Sequence, residues 1–272
     1  MTGSARGVLS VWAHYDDDLI FGCPTIDRAV AAGAPVTTLF LTAGDAGRDA
    51  AYITAREAGL REAYAVMLGR APDWHEVSVR LAGMRAHGWE AADAPIRLLS
   101  LRLPDGRPNG SGFPGTGHLS LRRLLEGDID AITDVDGAAP TDAAGLVQAL
   151  AAALRAHDGA QMLAHAPRVG GVLTERDHSD HWATGAFLRR ALSELGMAED
   201  AVSWRIGYPS ASLPPTLEGA DLDRKVRIFR AYAAYDPVVA RPDAAGTLTL
   251  PGFGEWLRRE YALVDGAAVA VA

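Results

Sequence analysis

The chain has 272 residues, of which 49% are hydrophobic and 22% charged, a balance typical of a globular protein with a full core. Its net charge of −8 excludes the basic surface that binding to nucleic acid or an anionic membrane requires. The only cysteine, Cys23, cannot form an intramolecular disulfide. Because no bilayer-spanning stretch or signal-peptide core is present, the sequence predicts one cytoplasmic domain over residues 1–272.

Short apolar runs alternate along the chain with longer segments of helical periodicity, a pattern typical of a parallel sheet with helices on its faces. In chain order, the predicted elements are strand Val8–Ala13, helix Leu19–Ala32, strand Val36–Leu41, helix Ala55–Leu68, strand Ile96–Leu103, helix Thr141–Ala156, strand Gln161–Ala164, helix His178–Leu195, strand Val202–Gly207 and helix Leu222–Tyr235. Trp74–Leu81 is strand-like but ambiguous, and Pro104–Gly117 is a Gly- and Pro-rich loop. Val264–Ala272 is either a strand or a disordered tail. The sequence therefore predicts an α/β fold.

A histidine and three acids follow the first predicted strand. His14, Tyr15, Asp16, Asp17 and Asp18 stand at its carboxyl end, where open α/β sheets bind ligands. Asp18 alone could cap the following helix. A cap does not account for the histidine and the other two acids, so this segment is a candidate site.

A second polar cluster, DHSDH, covers Asp177–His181. If a helix begins here, His178 and His181 share one helix face. Histidine nitrogen and carboxylate oxygen are zinc ligands, and a catalytic zinc site keeps one position open. His14, Asp17 and His181 together would make such a site. The spacing alone leaves a structural histidine cluster equally open.

Polar groups also follow three other predicted strands. These segments are Thr42–Arg48, Leu103–Gly106 and His165–Arg168. Each alone could be ordinary turn chemistry. Because the carboxyl ends of parallel strands meet at one edge of a sheet, we expect all four polar segments to converge on one crevice.

The two clusters together resemble the PIG-L/LmbE family of zinc-dependent N-deacetylases. The first family motif is Ala-His-Pro-Asp-Asp-Glu, and Ala13–Asp18 reads AHYDDD. The second is His-Pro-Asp-His, and His178–His181 reads HSDH. Thr42–Gly47 matches a Thr-x-Gly segment, and Arg56–Glu57 matches a helix that carries Arg and Glu. The resemblance runs from about residue 8 to residue 181.

Three positions depart from the family motifs. Tyr15 and Ser179 replace prolines, and Asp18 replaces a glutamate. None of these changes removes a ligand. We expect Asp18 to alter hydrogen bonding beneath the site and Tyr15 to line the substrate pocket. The run of three aspartates is most similar to an actinobacterial branch that includes teicoplanin-type glycopeptide deacetylases.

The resemblance implies a role for each matched residue. His14, Asp17 and His181 would bind one Zn²⁺, Asp16 would be the general base, and His178 would polarise the carbonyl or protonate the leaving amine. The implied fold is a Rossmann-like, mostly parallel sheet with helices on both faces and the site at the carboxyl ends of the strands. The implied reaction is hydrolysis of the N-acetyl or N-acyl amide of an amino-sugar conjugate.

Substrate contacts are predicted from position. The candidates are Asp45, Arg48, Tyr15 and Arg168. Arg56 could join them, or it could pair with Glu57 or Glu62 on a solvated helix face. The segments Asp105–Gly117 and Tyr208–Pro215 could form a lid over the substrate.

Three other interpretations stay open to different degrees. A phosphoesterase would need two metals and more carboxylates, which the run Asp16–Asp18 leaves possible. A nucleotide-binding module needs Gly-x-Gly-x-x-Gly after the first strand, and HYDDD stands there instead. The intact histidines and acids argue against a non-catalytic sugar-binding protein. The sequence leaves the native metal and the oligomeric state open, because a set of two histidines and one aspartate also accepts iron or cobalt.

Overall fold

A computed structural model of the chain describes residues 6–240 and 244–271. The first five residues, at the N-terminus that was expected to lack a signal peptide, lie outside the described residues. So does Ala272, the last residue of the predicted C-terminal segment. In the part that is described, the strands are β1 (Val8–Trp12), β2 (Val36–Thr42), β3 (Trp74–Leu81), β4 (Met84–Ala91), β5 (Ile96–Leu103), β6 (Gln161–His165), β7 (Val202–Arg205), β8 (Tyr261–Val264) and β9 (Ala267–Ala270).

The helices described in the same ranges connect and cover these strands. They are α1 (Asp17–Phe21), α2 (Thr25–Ala31), α3 (Ala50–Leu68), α4 (Leu121–Glu126), α5 (Ala143–Ala156), α6 (Val172–Glu175), α7 (Ser179–Glu194), α8 (Gly219–Ala233), α9 (Ala244–Leu248) and α10 (Phe253–Trp256). Short 3₁₀ segments lie at Pro114–Thr116, Glu199–Ala201 and Tyr208–Ser212. None of the described helices is both long enough and apolar enough to cross a membrane.

The strands form one mixed sheet in the order β3-β4-β5-β2-β1-β6-β7-β8-β9. Its five central strands, which are β5, β2, β1, β6 and β7, are parallel. Antiparallel hairpins extend the sheet at both sides. In the central register, Val11 lies beside Leu39 on one side and Ala164 on the other, so β1, β2 and β6 end at the same edge. The predicted α/β fold with a mostly parallel sheet is confirmed.

Helices cover both faces of the sheet, as predicted. Successive side chains of a strand point to opposite faces, and β1 divides accordingly. Val8 and Trp12 pack into a core with α3 and α8, whereas Leu9 and Val11 pack into a second core with α5 and α7. The largely buried central strands therefore place their carboxyl ends between two packed layers. One domain over residues 1–272 stays a prediction.

Several element predictions need correction. The predicted helix Leu19–Ala32 is two helices, because Pro24 has no N–H to donate and disfavours helical geometry at the preceding Cys23. The predicted helix Ala55–Leu68 begins five residues earlier, at Ala50, where the Asp49 carboxylate accepts a hydrogen bond from the N–H of Tyr52. This N-cap fixes the start of α3 beside the polar segment after β2.

Two hairpins went unrecognised in the sequence. Trp74–Leu81 is a strand, and it pairs with Met84–Ala91, which the sequence did not identify. The predicted C-terminal segment contributes Val264 to β8 and the whole of β9, which pairs with β8 rather than forming a disordered tail. Both hairpins are partly exposed, so their residues lack the apolar continuity of a buried strand.

Candidate active site

The polar segments after β1, β2, β5 and β6 converge at one edge of the sheet, as predicted. Thr42 Oγ1 donates to the carbonyl of Ala13 at 2.7 Å, which joins the ends of β2 and β1. The Asp45 carboxylate, 1% exposed, accepts hydrogen bonds from the N–H groups of Asp105 (2.8 Å) and Gly47 (2.9 Å). Asp45 was predicted to bind a sugar. Its Oδ1 joins the segment after β2 to the segment after β5, and its Oδ2 closes a turn within the first of these segments. Sugar binding by Asp45 stays a prediction.

Three imidazoles surround the carboxylate of Asp17 at this edge. His14 Nδ1 and His165 Nε2 lie 3.2 and 2.9 Å from Asp17 Oδ2, and His181 Nε2 lies 3.1 Å from Oδ1. All four side chains are buried. Burial opposes ionisation of Asp17, but the neighbouring histidines outweigh it and hold the pKa of the carboxyl well below its usual value. Asp17 is therefore an anion enclosed by nitrogen donors.

Outer carboxylates engage the second nitrogen of two of these histidines. His181 Nδ1 is 2.8 Å from Asp177 Oδ1, and His14 Nε2 is 3.3 Å from Asp180 Oδ2. Histidines that bind metals in proteins usually donate their other ring N–H to a carboxylate or carbonyl in this way. Both rings thus present their remaining nitrogen to Asp17.

These donors suit a divalent cation. With Nδ1–H of His181 directed at Asp177, the Nε2 lone pair faces a carboxylate oxygen of Asp17, and Nε2 forms no hydrogen bond among the described residues. Two electron-rich atoms at 3.1 Å require a proton or a cation between them. Without a metal, burial lowers the pKa of His181, but the charges of Asp17 and Asp177 prevail and raise it to about 9. Nitrogen and carboxylate donors are those of catalytic zinc sites.

The donors fall into three groups whose ligand atoms lie within 4.8 Å of one another in the described part of the chain. The groups are Asp17 with His165 and His181, His14 with His178 and His181, and His14 with Asp105, His178 and Asp180. Each predicted ligand belongs to a group, but no group among the described residues contains His14, Asp17 and His181 together. The structure adds His165 to the histidines around Asp17, and its ring stacks on that of His181 at 3.9 Å.

The carboxylates of the third group already have backbone partners. Asp105 Oδ1 accepts the N–H of Arg107, and Asp180 Oδ2 accepts the N–H of Gly106, both at 2.8 Å. The second of these bonds joins the loop after β5 to the start of α7.

His178 stands at the N-terminus of α7, beside the histidines that face Asp17. Its Nδ1 accepts the N–H of Asp180 at 3.2 Å, and its ring meets His14 edge-on at 4.6 Å. Burial, together with the charges of His14 and His181, lowers the pKa of His178 well below its usual value. His178 is therefore a neutral imidazole at pH 7.

Asp16 lies next to Asp17 and points to a different partner. Asp16 Oδ1 accepts a hydrogen bond from Arg56 Nη2 at 2.8 Å, and both residues are buried. Burial raises the pKa of Asp16, Arg56 opposes that rise, and Asp17 adds to it, with a result of about 6. The expectation that Arg56 pairs with Glu57 or Glu62 on a solvated face is wrong, because α3 turns Arg56 into the site.

Arg56 is held by groups from three parts of the chain. Its Nη1 donates to the carbonyl of Gly44 and its Nε to the hydroxyl of Tyr232, each at 2.5 Å. Asp236 Oδ2 lies 3.3 Å from Nε and accepts a hydrogen bond from the hydroxyl of Tyr232. Sequence reasoning missed Tyr232 and Asp236, because no motif marks them and they lie about 180 residues from Arg56.

The other predicted substrate-binding residues have partners outside the histidine cluster. Tyr15 is 2% exposed, and its hydroxyl donates to Glu57 at 2.9 Å. Its contact with substrate stays a prediction. The guanidinium groups of Arg48 and Arg168, both on exposed residues, stack on the rings of Tyr52 and Trp182 at 4.8 Å. Substrate contact by these arginines stays a prediction.

Asp18 does not cap a helix. It lies inside α1, and its Oδ2 accepts a hydrogen bond from Tyr64 at 2.9 Å. The Tyr64 hydroxyl also contacts Thr38 Oγ1 at 2.8 Å, and Ser10 Oγ donates to Thr38 at 3.0 Å. This buried polar chain supports the floor of the site, as expected for hydrogen bonding beneath it.

An aromatic pair from the C-terminal part flanks the histidines. Tyr208 meets His181 edge-on at 4.9 Å and stacks on Trp256 at 4.2 Å. Trp256 Nε1 donates to the carbonyl of Tyr208 at 3.0 Å. Tyr208 begins the segment that was predicted as a lid, but Trp256 carried no signal in the sequence.

Comparison with known proteins assigns the family. A family model described as PIG-L, GlcNAc-PI de-N-acetylase, matches residues 9–192, more than half of the chain. The chain belongs to the PIG-L family. Among curated proteins, no sequence matches this chain.

Two solved structures are similar to the chain. The conserved protein TT1542 from Thermus thermophilus is 19% identical, with 98% of this chain and 97% of that chain covered and a TM-score of 0.46. The N,N'-diacetylchitobiose deacetylase from Pyrococcus horikoshii, complexed with its inhibitor MPG, is 15% identical, with 88% and 72% covered and a TM-score of 0.49.

Proposed function

We propose that this chain is a zinc-dependent deacetylase that hydrolyses the N-acetyl amide of an N-acetylglucosamine-type conjugate to a free amine and acetate. The observation that carries the proposal is the enclosure of Asp17 by three buried histidines, with Asp16 beside it, in a chain of the PIG-L family. An amide resists hydrolysis because its carbonyl is weakly electrophilic and its amine leaves poorly. The site offers chemistry for both difficulties.

The proposed metal holders are His14, Asp17 and His181. A bound zinc ion would supply Lewis acidity at the scissile carbonyl. The protein's own contribution is to keep Asp17 ionised and the two imidazoles turned towards it, which Asp180 and Asp177 achieve through the opposite ring nitrogens. The direction of both rings is thus fixed by hydrogen bonds within the protein itself.

Asp16 is the proposed general base. With a pKa near 6, the Asp16 carboxyl is ionised in most molecules at pH 7 but is still basic enough to accept a proton from water. Arg56 occupies Oδ1, so Oδ2 is the oxygen left for the proton. The hydrogen bond from Arg56 thereby fixes the orientation of the Asp16 carboxylate.

His178 is the proposed donor to the leaving nitrogen. It is neutral at pH 7 because burial and the neighbouring histidines disfavour its charged form. Its Nδ1 accepts the N–H of Asp180, so the neutral ring carries its proton on Nε2, which is the atom for proton transfer. This proton would go to the departing nitrogen, and the proton that Asp16 takes from the attacking water would replace it on the ring.

The finer substrate assignment follows the sequence. The Asp16–Asp18 run is similar to the glycopeptide branch, so we propose a glycopeptide antibiotic precursor with an N-acylated amino sugar as the conjugate. Exposed Arg48 and Arg168 are the proposed contacts to hydroxyl or anionic groups of that conjugate. The segments Asp105–Gly117 and Tyr208–Pro215 are the proposed lid.

Acetate release tests the proposed reaction. Purified protein of known metal content would be incubated with N-acetylglucosamine, its inositol conjugates and an N-acetylglucosaminyl glycopeptide, with p-nitrophenyl phosphate as a parallel substrate. We expect acetate from at least one conjugate and no phosphate. Phosphate release without acetate would instead support a phosphoesterase.

A further inference from the structure

The side chain of Asp177, which lies just before α7, accepts three hydrogen bonds at one oxygen. Its Oδ1 accepts hydrogen bonds from His181 Nδ1 at 2.8 Å, from the N–H of His178 at 2.9 Å and from the N–H of Tyr208 at 3.0 Å. The side chain is 5% exposed. The carboxylate therefore joins the start of α7 to the loop that follows β7.

The contact with His181 determines which nitrogen faces Asp17. Because Nδ1–H points to Asp177, Nε2 is turned towards Asp17 Oδ1 at 3.1 Å. Asp177 lies just before the N-cap residue His178, and His181 lies in the first turn of α7, so the carboxylate reaches the His181 ring across the start of the helix. A ring rotation that freed Nε2 would break the bond to Asp177.

Gly207 provides the space that Asp177 occupies. A Cβ atom at residue 207 would lie 2.4 Å from Asp177 Oδ2 and 2.6 Å from Oδ1, closer than real Cβ contacts permit. Gly207 and Tyr208 both lie beyond residue 192, where the match to the PIG-L family model ends. The family-matched part of the chain thus depends on the loop after β7 for the geometry of His181.

We infer that Asp177 is a positioning residue of the metal centre, which fixes the ring of His181 for metal binding, and that Gly207 is required to admit it. The inference rests on the proposed function, because it assumes that His181 binds the metal. It adds a role for a residue outside the four-residue HSDH motif and for a loop outside the matched region.

Zinc affinity of the variants tests this inference. Asp177→Leu removes the acceptor at similar size, Asp177→Asn keeps an acceptor without the charge, and Gly207→Ala crowds the carboxylate. Affinity would be measured by competition with a chromogenic chelator. We expect a loss of about 10–100-fold for Asp177→Leu and Gly207→Ala, the range for outer partners of ligating histidines. The zinc affinity of Asp177→Asn should lie between that of these two variants and that of the parent protein. Asp128→Leu is the matched control, because it makes the same change of side chain at an exposed position.

Two further readouts separate positioning from folding. Thermal unfolding of the metal-free variants reports stability alone. In the zinc-loaded parent protein, the Nδ1–H of His181 should give a slowly exchanging low-field proton resonance, and this signal should be absent from Asp177→Leu. A variant that is as stable as the parent without metal, yet binds zinc more weakly and lacks this resonance, supports the inference.

The outcomes also distinguish this inference from the proposed function. If both Asp177→Leu and Gly207→Ala bind zinc as tightly as Asp128→Leu, the inference is overturned even where the parent protein releases acetate. If the parent releases no acetate but the predicted order of zinc affinities holds, the proposed reaction fails and the positioning role stands. A parent protein that binds no zinc contradicts both.

Discussion

Replacing Arg56 with methionine should destabilise the protein through Asp16. Arg56 is 5% exposed and donates to Asp16, Gly44 and Tyr232, with Asp236 at 3.3 Å. Methionine fills much of the same volume but has no donor. The substitution therefore leaves two buried carboxylates without their shared cation.

The size of the effect follows from burial. Two unit charges 4 Å apart attract each other by about 4 kcal/mol at the effective dielectric constant of ~20 that describes protein sites. Removing one partner of a buried ion pair costs about 3–5 kcal/mol, because the other charge stays desolvated. We expect Arg56→Met to lower the free energy of unfolding by an amount in that range.

A double-mutant cycle with Asp16→Asn isolates the pair. Urea unfolding of metal-free protein would be measured for the parent protein, both single variants and the double variant. Because asparagine carries no charge, Arg56→Met should cost at least about 1 kcal/mol less in the Asp16→Asn background, a coupling typical of residues in contact. Equal costs in both backgrounds, within about 0.5 kcal/mol, would refute the claim that Arg56 acts through Asp16.

Further substitutions test the other parts of the site. Asp16→Asn should reduce kcat by about 10²–10⁴-fold, as loss of a general base does, while metal analysis still finds the parent's zinc content; near-normal kcat would reject this base. His181→Ala should lose zinc on dialysis, and full retention would point to His165 as the ligand instead. Gly44→Ala should lower the unfolding midpoint in urea, because Gly44 has φ +54° and a Cβ there would lie 2.3 Å from Arg56 Nη1; an unchanged midpoint would mean that Arg56 moves without cost.

The parts of the fold and site that could be predicted are those marked by a local sequence pattern. The strands β1, β2, β5, β6 and β7 are rich in apolar residues, since both faces of the central sheet are covered. His14, Asp16 and Asp17 are contiguous with the end of β1, so a single strand prediction placed all three at the edge of the sheet.

Arg56 shows why the rest of the site could not be predicted from the sequence. A charged residue in a helix with acidic neighbours is usually solvated, and only the docking of α8 on α3 reveals otherwise. The partners Tyr232 and Asp236 come from that distant end of the chain. Pairing across such separations is a property of the packed structure and has no local signature.

The outer strands could not be predicted for a different reason. The residues of β4 are mostly of intermediate exposure, so neither a continuous apolar run nor a clear alternation marks them. The position of Tyr15 next to His14 does not by itself fix the direction of its side chain. Its ring turns into the core against Phe40 at 5.2 Å.

Acetate release with controlled metal content is the most direct test of the central claim. The protein would be stripped with a chelator, assayed on the N-acetylglucosamine conjugates, and assayed again after addition of one equivalent of Zn²⁺. The account predicts no acetate from the stripped protein and restored release with zinc. Acetate release that persists at full rate in the stripped protein, or a protein that binds no metal and releases no acetate, would contradict it.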